Sequence, residues 1–208
     1  MNNLIKEMAY PTEFSLDTLK KLPHYSKRLA YVESHLEKIA SGSSRTVYFV
    51  DETKVLKVAK NKKGLAQNRI ESDYSLQNYD IVAKVFDSDE EDIFVEMEFA
   101  YKVKPTEFER IVGISIDDLS TFLRNVYYEN HGIHHHTSDK DYKKWHDKQW
   151  ENEWIAELVE VCINYGFTMP GDFGRLSSYG RVIRNGEEKI VLIDFGLTED
   201  IWKEYYSK

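Results

Sequence analysis

Three stretches of the chain carry side chains whose types and spacing could do chemistry. The first is Ser41, Gly42, Ser43 and Ser44 in ASGSSRTVY, small residues between two strand-like segments. Small residues let a backbone approach a ligand closely, and N–H groups exposed in such a turn can hold phosphate oxygens. With a single glycine the same run also reads as an ordinary polar hairpin loop. The second is Lys57 in KVLKVAK. Under the period-two rule Val55, Lys57 and Ala59 share one face of a strand, and an ammonium among such neighbours is costly without an anion. Glu71, flanking the Ile70/Tyr74 stripe of the next helical segment, is the candidate partner; a lysine snorkelling from an edge strand is the alternative. The third is a pair of acids. Asp194 ends the apolar run KIVLID, and Asp172 lies upstream in GDFGRLSS.

A turn signal ties the two acids together. Asn185-Gly186 suits the left-handed dihedrals of a two-residue type I′ hairpin turn. Arg184 then faces Glu187, Val182 faces Lys189 and Tyr179 faces Leu192. Two residues further along the same register, Ser177 falls beside Asp194. Two carboxylates and a hydroxyl gathered at one end of a hairpin are the hard oxygen donors that Mg²⁺ prefers. Short acids also cap turns, and that reading stands beside the first.

The elements that must position these residues follow from patterning. Residues 1–14 read as a loose arm. SLDTLKKL reads as a short helix capped by Ser15, and Leu29, Val32, Leu36 and Ile39 recur at helical spacing after Pro23. The β-branched runs on either side of DET predict two strands and a turn. Helical spacing returns through Ala66, Ile70 and Tyr74, and IVAKVFDSDEEDIFVEMEFA predicts two strands around an acidic turn. From Pro105 the pattern changes to two long helices, 106–128 and 142–165, around the polar loop ENHGIHHHTSDKD, followed by the terminal hairpin. Strands with one helix, then helices, then a hairpin is an α+β arrangement in two lobes, divided near residues 100–105.

The chain has 208 residues, enough for one large domain or two small lobes. Hydrophobic residues at 41% and charged residues at 31% are those of a soluble globular protein. The net charge of −8 argues against nucleic acid and anionic membrane as partners, because phosphate neutralisation needs basic clusters. One cysteine, Cys162, excludes an internal disulfide framework, and no apolar run approaches a signal or membrane segment, so a cytoplasmic location is expected. His131, His134, His135, His136 and His146 fit no standard zinc spacing and read as a solvated loop. Trp145, Trp150 and Trp154 read as packing or interface residues rather than base-stacking ones.

Taken in order, the small-residue turn, the strand lysine, the helix glutamate, EMEFA, the aspartate loop and IDFG resemble the protein-kinase-like superfamily. That superfamily includes aminoglycoside- and choline-kinase-type small-molecule phosphotransferases, and the similarity spans roughly residues 36–198. The resemblance implies a two-lobed fold with a minimal C-lobe, of a small bacterial or phage type: an arm and helices over 1–35, an N-lobe over 36–103 and a reduced C-lobe over 104–208. It implies ATP and Mg²⁺ as cofactors. By resemblance Ser41–Ser44 cradle phosphate, Lys57 holds the α/β-phosphates, Glu71 pairs with Lys57, and Glu96 and Glu98 lie in the hinge 96–100, whose backbone binds adenine. Asp172 resembles the catalytic-loop aspartate that accepts the acceptor's hydroxyl proton, Asp194 resembles the metal-binding aspartate, and Ser177 stands where a second metal ligand is expected. The chain departs from the family pattern in four places. The full glycine-rich motif is missing, Pro170-Gly171 replaces His-Arg, and Ser177 replaces asparagine. No activation segment, Ala-Pro-Glu motif or further C-lobe helix is expected after Gly196. The implied activity is transfer of the ATP γ-phosphoryl group to a hydroxyl on a protein or small molecule. The alternative is a pseudokinase, a nucleotide-binding or interaction regulator without catalysis.

Overall fold

Asp51 folds the first hairpin. Its carboxylate accepts from the Thr53 N–H and hydroxyl, each at 2.6 Å, and turns the chain between β2 (Arg45–Asp51) and β3 (Lys54–Ala59). In the computed structural model, which describes residues 10–133 and 140–207, these strands belong to a five-stranded antiparallel sheet. Its order is β1 (Glu37–Ser41), β2, β3, β5 (Phe94–Glu98), β4 (Val85–Ser88). The register sets Val47, Lys57 and Val95 side by side across β2, β3 and β5. Alternation then places Arg45, Val55, Ala59 and Met97 on the Lys57 face. The opposite face carries Tyr48, Leu56, Val58 and Phe94. These form one core with Phe14, Leu19, Val32 and Leu36 from the segment holding α1 (Leu16–Lys21) and α2 (Tyr25–Glu33). Ser15 caps α1 by accepting from the Thr18 N–H.

α3 (Lys62–Glu71) joins β3 to β4 and packs on β3. It is fastened at both ends. Asn61 caps it and also donates to the Ser43 carbonyl at 2.9 Å, while Asn68 donates to the Asp92 carbonyl and Arg69 pairs with the Asp92 carboxylate. The acidic turn between β4 and β5 is thereby tied to the helix. Two helical expectations fail here for local reasons. α2 stops at Glu33, and Ile39 lies in β1, 45% exposed, because pairing with β2 outcompetes a short helical stripe. α3 stops at Glu71. Asp73 then accepts from the Ser75 N–H and starts a 3₁₀ turn over Tyr74–Asn78, which leaves Tyr74 at the surface.

The chain divides into two units. One holds the described residues through Ser72 together with Lys84–Phe99; the other holds Asp73–Ala83 and the residues from Ala100 onward. In the second, β7 (Tyr179–Arg184) and β8 (Glu187–Leu192) form the expected hairpin, register included, from Arg184 opposite Glu187 to Tyr179 opposite Leu192. Asn185 and Gly186 take φ of 55° and 82°, as a type I′ turn requires. β6 (Tyr101–Lys102) adds a third strand beside β7. Residues 80–83 run along β8: Leu192 N–H donates to the Ile81 carbonyl, and Ala83 N–H donates to the Leu192 carbonyl. The buried Arg184 guanidinium takes the Asp80 and Val82 carbonyls at 2.6 and 2.8 Å.

Each expected long helix is two helices. α4 (Pro105–Val112) ends at Gly113, whose φ of 88° stops it, and α5 (Ile116–Asn130) restarts from the Ser115 cap. α6 (Lys140–Gln149) and α7 (Glu153–Asn164) are separated by Asn152. Its oxygen caps α7, and its amide donates to the Val112 carbonyl at 2.7 Å. A further helix, α8 (Glu199–Tyr205), is capped by Thr198, which corrects the expectation that no helix follows Gly196. The fold class is α+β, as expected. Among the described residues no helix is long and apolar enough to cross a membrane.

Gly64 in α3 sits against the turn before β2: a Cβ there would lie 2.3 Å from the Ser44 carbonyl oxygen and 3.0 Å from Ala59 Cα. Both obstacles are backbone. We expect Gly64→Ala to lower unfolding stability by about 1–3 kcal/mol in a urea titration. Gly42→Ala, with nothing within 4 Å, should stay within roughly 0.5 kcal/mol of the parent.

Candidate functional site

In the first unit, β3 and α3 bring two of the sequence-selected residues together. Lys57 Nζ donates to Glu71 Oε2 at 2.8 Å, with side-chain exposures of 6% and 0%. Lys57 is on an inner strand, not an edge one. Arg45, at the start of β2, reaches the same Glu71 oxygen at 2.6 Å. Burial alone would push the Glu71 carboxyl upward, but the Arg45 and Lys57 cations outweigh it and hold the pKa below the ordinary value. Glu71 also ends its helix, where the backbone dipole disfavours an anion, so the cations must overcome that as well. Arg45 was not selected from the sequence. The DET hairpin register carries the signal for it, since it sets Arg45 opposite Ala59 and so on the Lys57 face.

The small-residue turn is fixed to the start of α3. Lys60 Nζ donates to the Gly42 carbonyl, Asn61 to that of Ser43, and the Lys60 N–H to that of Ser44. Ser44 is buried and its hydroxyl donates to Gln67, while Ser41, Gly42 and Ser43 are exposed. With the carbonyls taken by Lys60 and Asn61, the Ser43 and Ser44 N–H groups meet no acceptor among the described residues. Such amides suit an anion.

Glu96 and Glu98 do not offer their side chains to a ligand. Both lie on the sheet face opposite Lys57. Glu96 Oε2 accepts from the Tyr10 hydroxyl at 2.6 Å, and Oε1 pairs with Lys54 at 3.0 Å. Glu98 accepts from the Lys84 N–H. The Glu98 and Phe99 N–H groups are bonded as well, to the Lys84 and Thr53 carbonyls. These glutamates fasten the N-terminal arm and the β4 edge.

In the second unit, Asp172 is held in a loop closed by its own backbone. The Ser178 hydroxyl donates to the Asp172 carbonyl, the Tyr179 hydroxyl to that of Phe173, and the Gly174 N–H to that of Pro170, each at 2.7 Å. The loop rests on α5, since a Cβ at Gly174 would lie 2.6 Å from Ser120 Oγ. Asp172 is half-buried and pairs with Arg175 at 3.3 Å. Burial and then repulsion by Asp194 push its carboxyl above the ordinary range, with Arg175 acting the other way. The two acids therefore feel each other. The hairpin register continues to the Ile193 N–H, which donates to the Ser178 carbonyl, and Asp194 follows, exposed. Ser177 lies within a 3₁₀ turn with its side chain exposed. The buried hydroxyl that orders the loop is that of Ser178, which the sequence did not single out.

The remaining candidates are structural. His146 is buried against the Phe122 ring at 5.0 Å, and His131 stacks on Tyr127 at 4.0 Å; His134, His135 and His136 lie outside the described residues. Trp150 packs edge-on against Phe122, and Trp154 donates its indole N–H to the Ile190 carbonyl. Among the described residues no group of three or more His, Cys, Asp or Glu is arranged to hold a metal ion.

No protein-family model matches the chain, and neither does any curated protein. Among solved structures, the streptomycin–ATP–APH(2″)-IIa ternary complex aligns over 83% of this chain and 70% of that one. The identity is 18% and the TM-score 0.31, too low for the match to carry weight.

Two outcomes follow from the charges. Because the Glu71 pKa is depressed, its contribution to stability is complete above its ordinary value of 4.5 and is lost as pH falls below that. Urea midpoints measured from pH 7 down to pH 3 should show this acid loss in the parent and much less of it in Glu71→Gln. Because the Asp172 pKa is raised, its ionised form opposes folding at pH 7. In metal-free buffer Asp172→Asn should therefore melt above the parent at pH 7, with the gain shrinking as pH is lowered and the parent carboxyl protonates.

Proposed function

We propose that the protein is a kinase-like phosphotransferase that moves the ATP γ-phosphoryl group to a hydroxyl acceptor. The observation that carries this reading is the buried Lys57–Glu71 pair at 2.8 Å, a strand lysine held by a helix glutamate. Charge neutralisation and positioning, rather than covalent chemistry, lower the barrier to phosphoryl transfer. In this reading Lys57 neutralises nucleotide phosphates, with the Ser43 and Ser44 N–H groups as further donors and the apolar side chains of Val47, Val55 and Met97 beside it for a base. Asp172 takes the proton of the acceptor hydroxyl, and burial together with repulsion by Asp194 makes it a stronger base than an ordinary carboxylate. Arg175 and the Ser178 hydroxyl orient it.

The donor set fits Mg²⁺. That ion is commonly held by one or two carboxylates plus substrate phosphates, and the mutual repulsion of Asp172 and Asp194 is what a divalent cation relieves. Asp194 would hold it, with Ser177 as a weaker oxygen ligand, and the ion would supply charge neutralisation on the transferred phosphoryl group. The second reading, a pseudokinase that binds nucleotide without turnover, is favoured by Ser177 alone, a weak and solvent-facing donor in the place of an asparagine. In either reading the acceptor or partner is not a nucleic acid, given the net charge of −8.

Thermal unfolding with ATP separates these readings. At ligand concentrations about a hundredfold above the dissociation constant, Mg·ATP should stabilise the chain by roughly 2.7 kcal/mol, a rise of about 5–10 °C. Asp194→Asn should abolish the Mg²⁺-dependent part and spare the rest. No shift with any nucleotide would overturn the phosphotransferase reading, and a shift without phosphate transfer to protein or small-molecule panels would support the pseudokinase.

A further inference from the structure

Glu71 presents one oxygen to two cations carried by two different strands, Lys57 from β3 and Arg45 from β2, and all three side chains are buried. Under the proposed function, on which this inference rests, Lys57 must reach for nucleotide phosphates. A lysine drawn away from a buried carboxylate leaves an uncompensated charge in a poorly solvated place, and that cost subtracts from whatever the ammonium gains on phosphate. A guanidinium differs from an ammonium in being always charged and pre-organised for carboxylate oxygens. Arg45 is also rigidly mounted. The turn before it is tied to the start of α3 by Lys60 and Asn61, and the end of that same helix carries Glu71.

We propose that Arg45 is a positioning residue of the nucleotide site. It keeps the Glu71 carboxylate compensated and facing inward, so that Lys57 can be shared between Glu71 and a triphosphate. Arg45 acts through Glu71 and does not itself hold the nucleotide. This also gives the small-residue turn a second task, since the bonds that fix it to α3 set the spacing between Arg45 and Glu71.

The test has a ligand-free arm and a ligand arm, both on the full chain. Without ligand, Lys57→Met and Arg45→Met should each be tolerated, because one cation remains on Glu71. Together they should lower the melting temperature by more than the sum of the single changes, and Glu71→Gln should recover most of that loss. Additive losses, or no recovery, would overturn the shared-carboxylate arrangement. With Mg·ATP, Arg45→Met should weaken affinity by about tenfold and Arg45→Lys by less than about threefold. In a Glu71→Gln background Arg45→Met should change affinity by less than about twofold. An equal loss in both backgrounds would show that Arg45 touches the nucleotide or serves only the fold, and would overturn the proposal. If the parent chain binds no nucleotide, the functional reading and the role of Arg45 in it fall together. The ligand-free arm still reads the Arg45–Glu71 coupling, so the two failures are distinguishable.

Discussion

A carboxylate with no solvent exposure organises the first unit. Glu71 is tolerable as an anion only because Lys57 and Arg45 reach it, and each partner makes demands on the backbone. Lys57 must sit on an inner strand in register with Val47 and Val95, Arg45 must begin β2 on the same face, and α3 must run so that its last residue lies over that face. The turn at 41–44, the Asn61 cap and the contact at Gly64 are the fittings that hold the helix there. Apolar packing does its work on the other side of the sheet, where the N-terminal helices complete the core around Tyr48 and Leu56. The Lys57 face is apolar as well, through Val55, Ala59, Val95 and Met97, and the charged cluster is set into it.

The second unit solves a milder version of the same problem. Asp172 and Asp194 repel each other, and neither is buried deeply enough to need permanent neutralisation. What the fold supplies is position. The Ser178 and Tyr179 hydroxyls lock the loop carrying Asp172, and the β7–β8 register brings the chain to Asp194 one residue past a bond to that same Ser178. The raised Asp172 pKa records both its partial burial and the charge of Asp194.

Much of this was legible where a signal was local. An ammonium within KVLKVAK announces a partner, and Asn185-Gly186 dictates a turn whose register then follows without further information. The pieces that were not legible depend on distant partners. Leu36 and Ile39 continue the α2 stripe as well as any helix would, and only the edge of β2 draws Ile39 into a strand. IVA at 81–83 is an apolar run fit to begin β4, yet its backbone partners are at Leu192. The break at Gly113 escapes periodicity because Phe108 and Val112 are nearly in phase with Leu119, Phe122 and Val126 on the far side. For Glu96 and Glu98 family resemblance locates a backbone segment, whereas strand alternation decides which face each side chain takes.

The excursion of residues 73–83 has a consequence for how the chain can be divided. The backbone passes from the first unit to the second after Ser72, returns after Ala83 and leaves again after Phe99. Three peptide connections therefore link the units, and no single cut yields two complete pieces. A fragment beginning near residue 104 would carry Arg184 without the Asp80 and Val82 carbonyls that solvate it, and β8 without the segment paired along it. The complementary fragment would carry the buried apolar Ile81–Ala83 run without the Leu192 backbone it pairs with. Synthesis of the second unit is thus staggered in time. Its first segment leaves the ribosome before β4 and β5 of the first unit exist; it meets Glu157, Glu160 and Tyr165 when α7 emerges and its backbone partners at Arg184 and Leu192 only with the terminal hairpin.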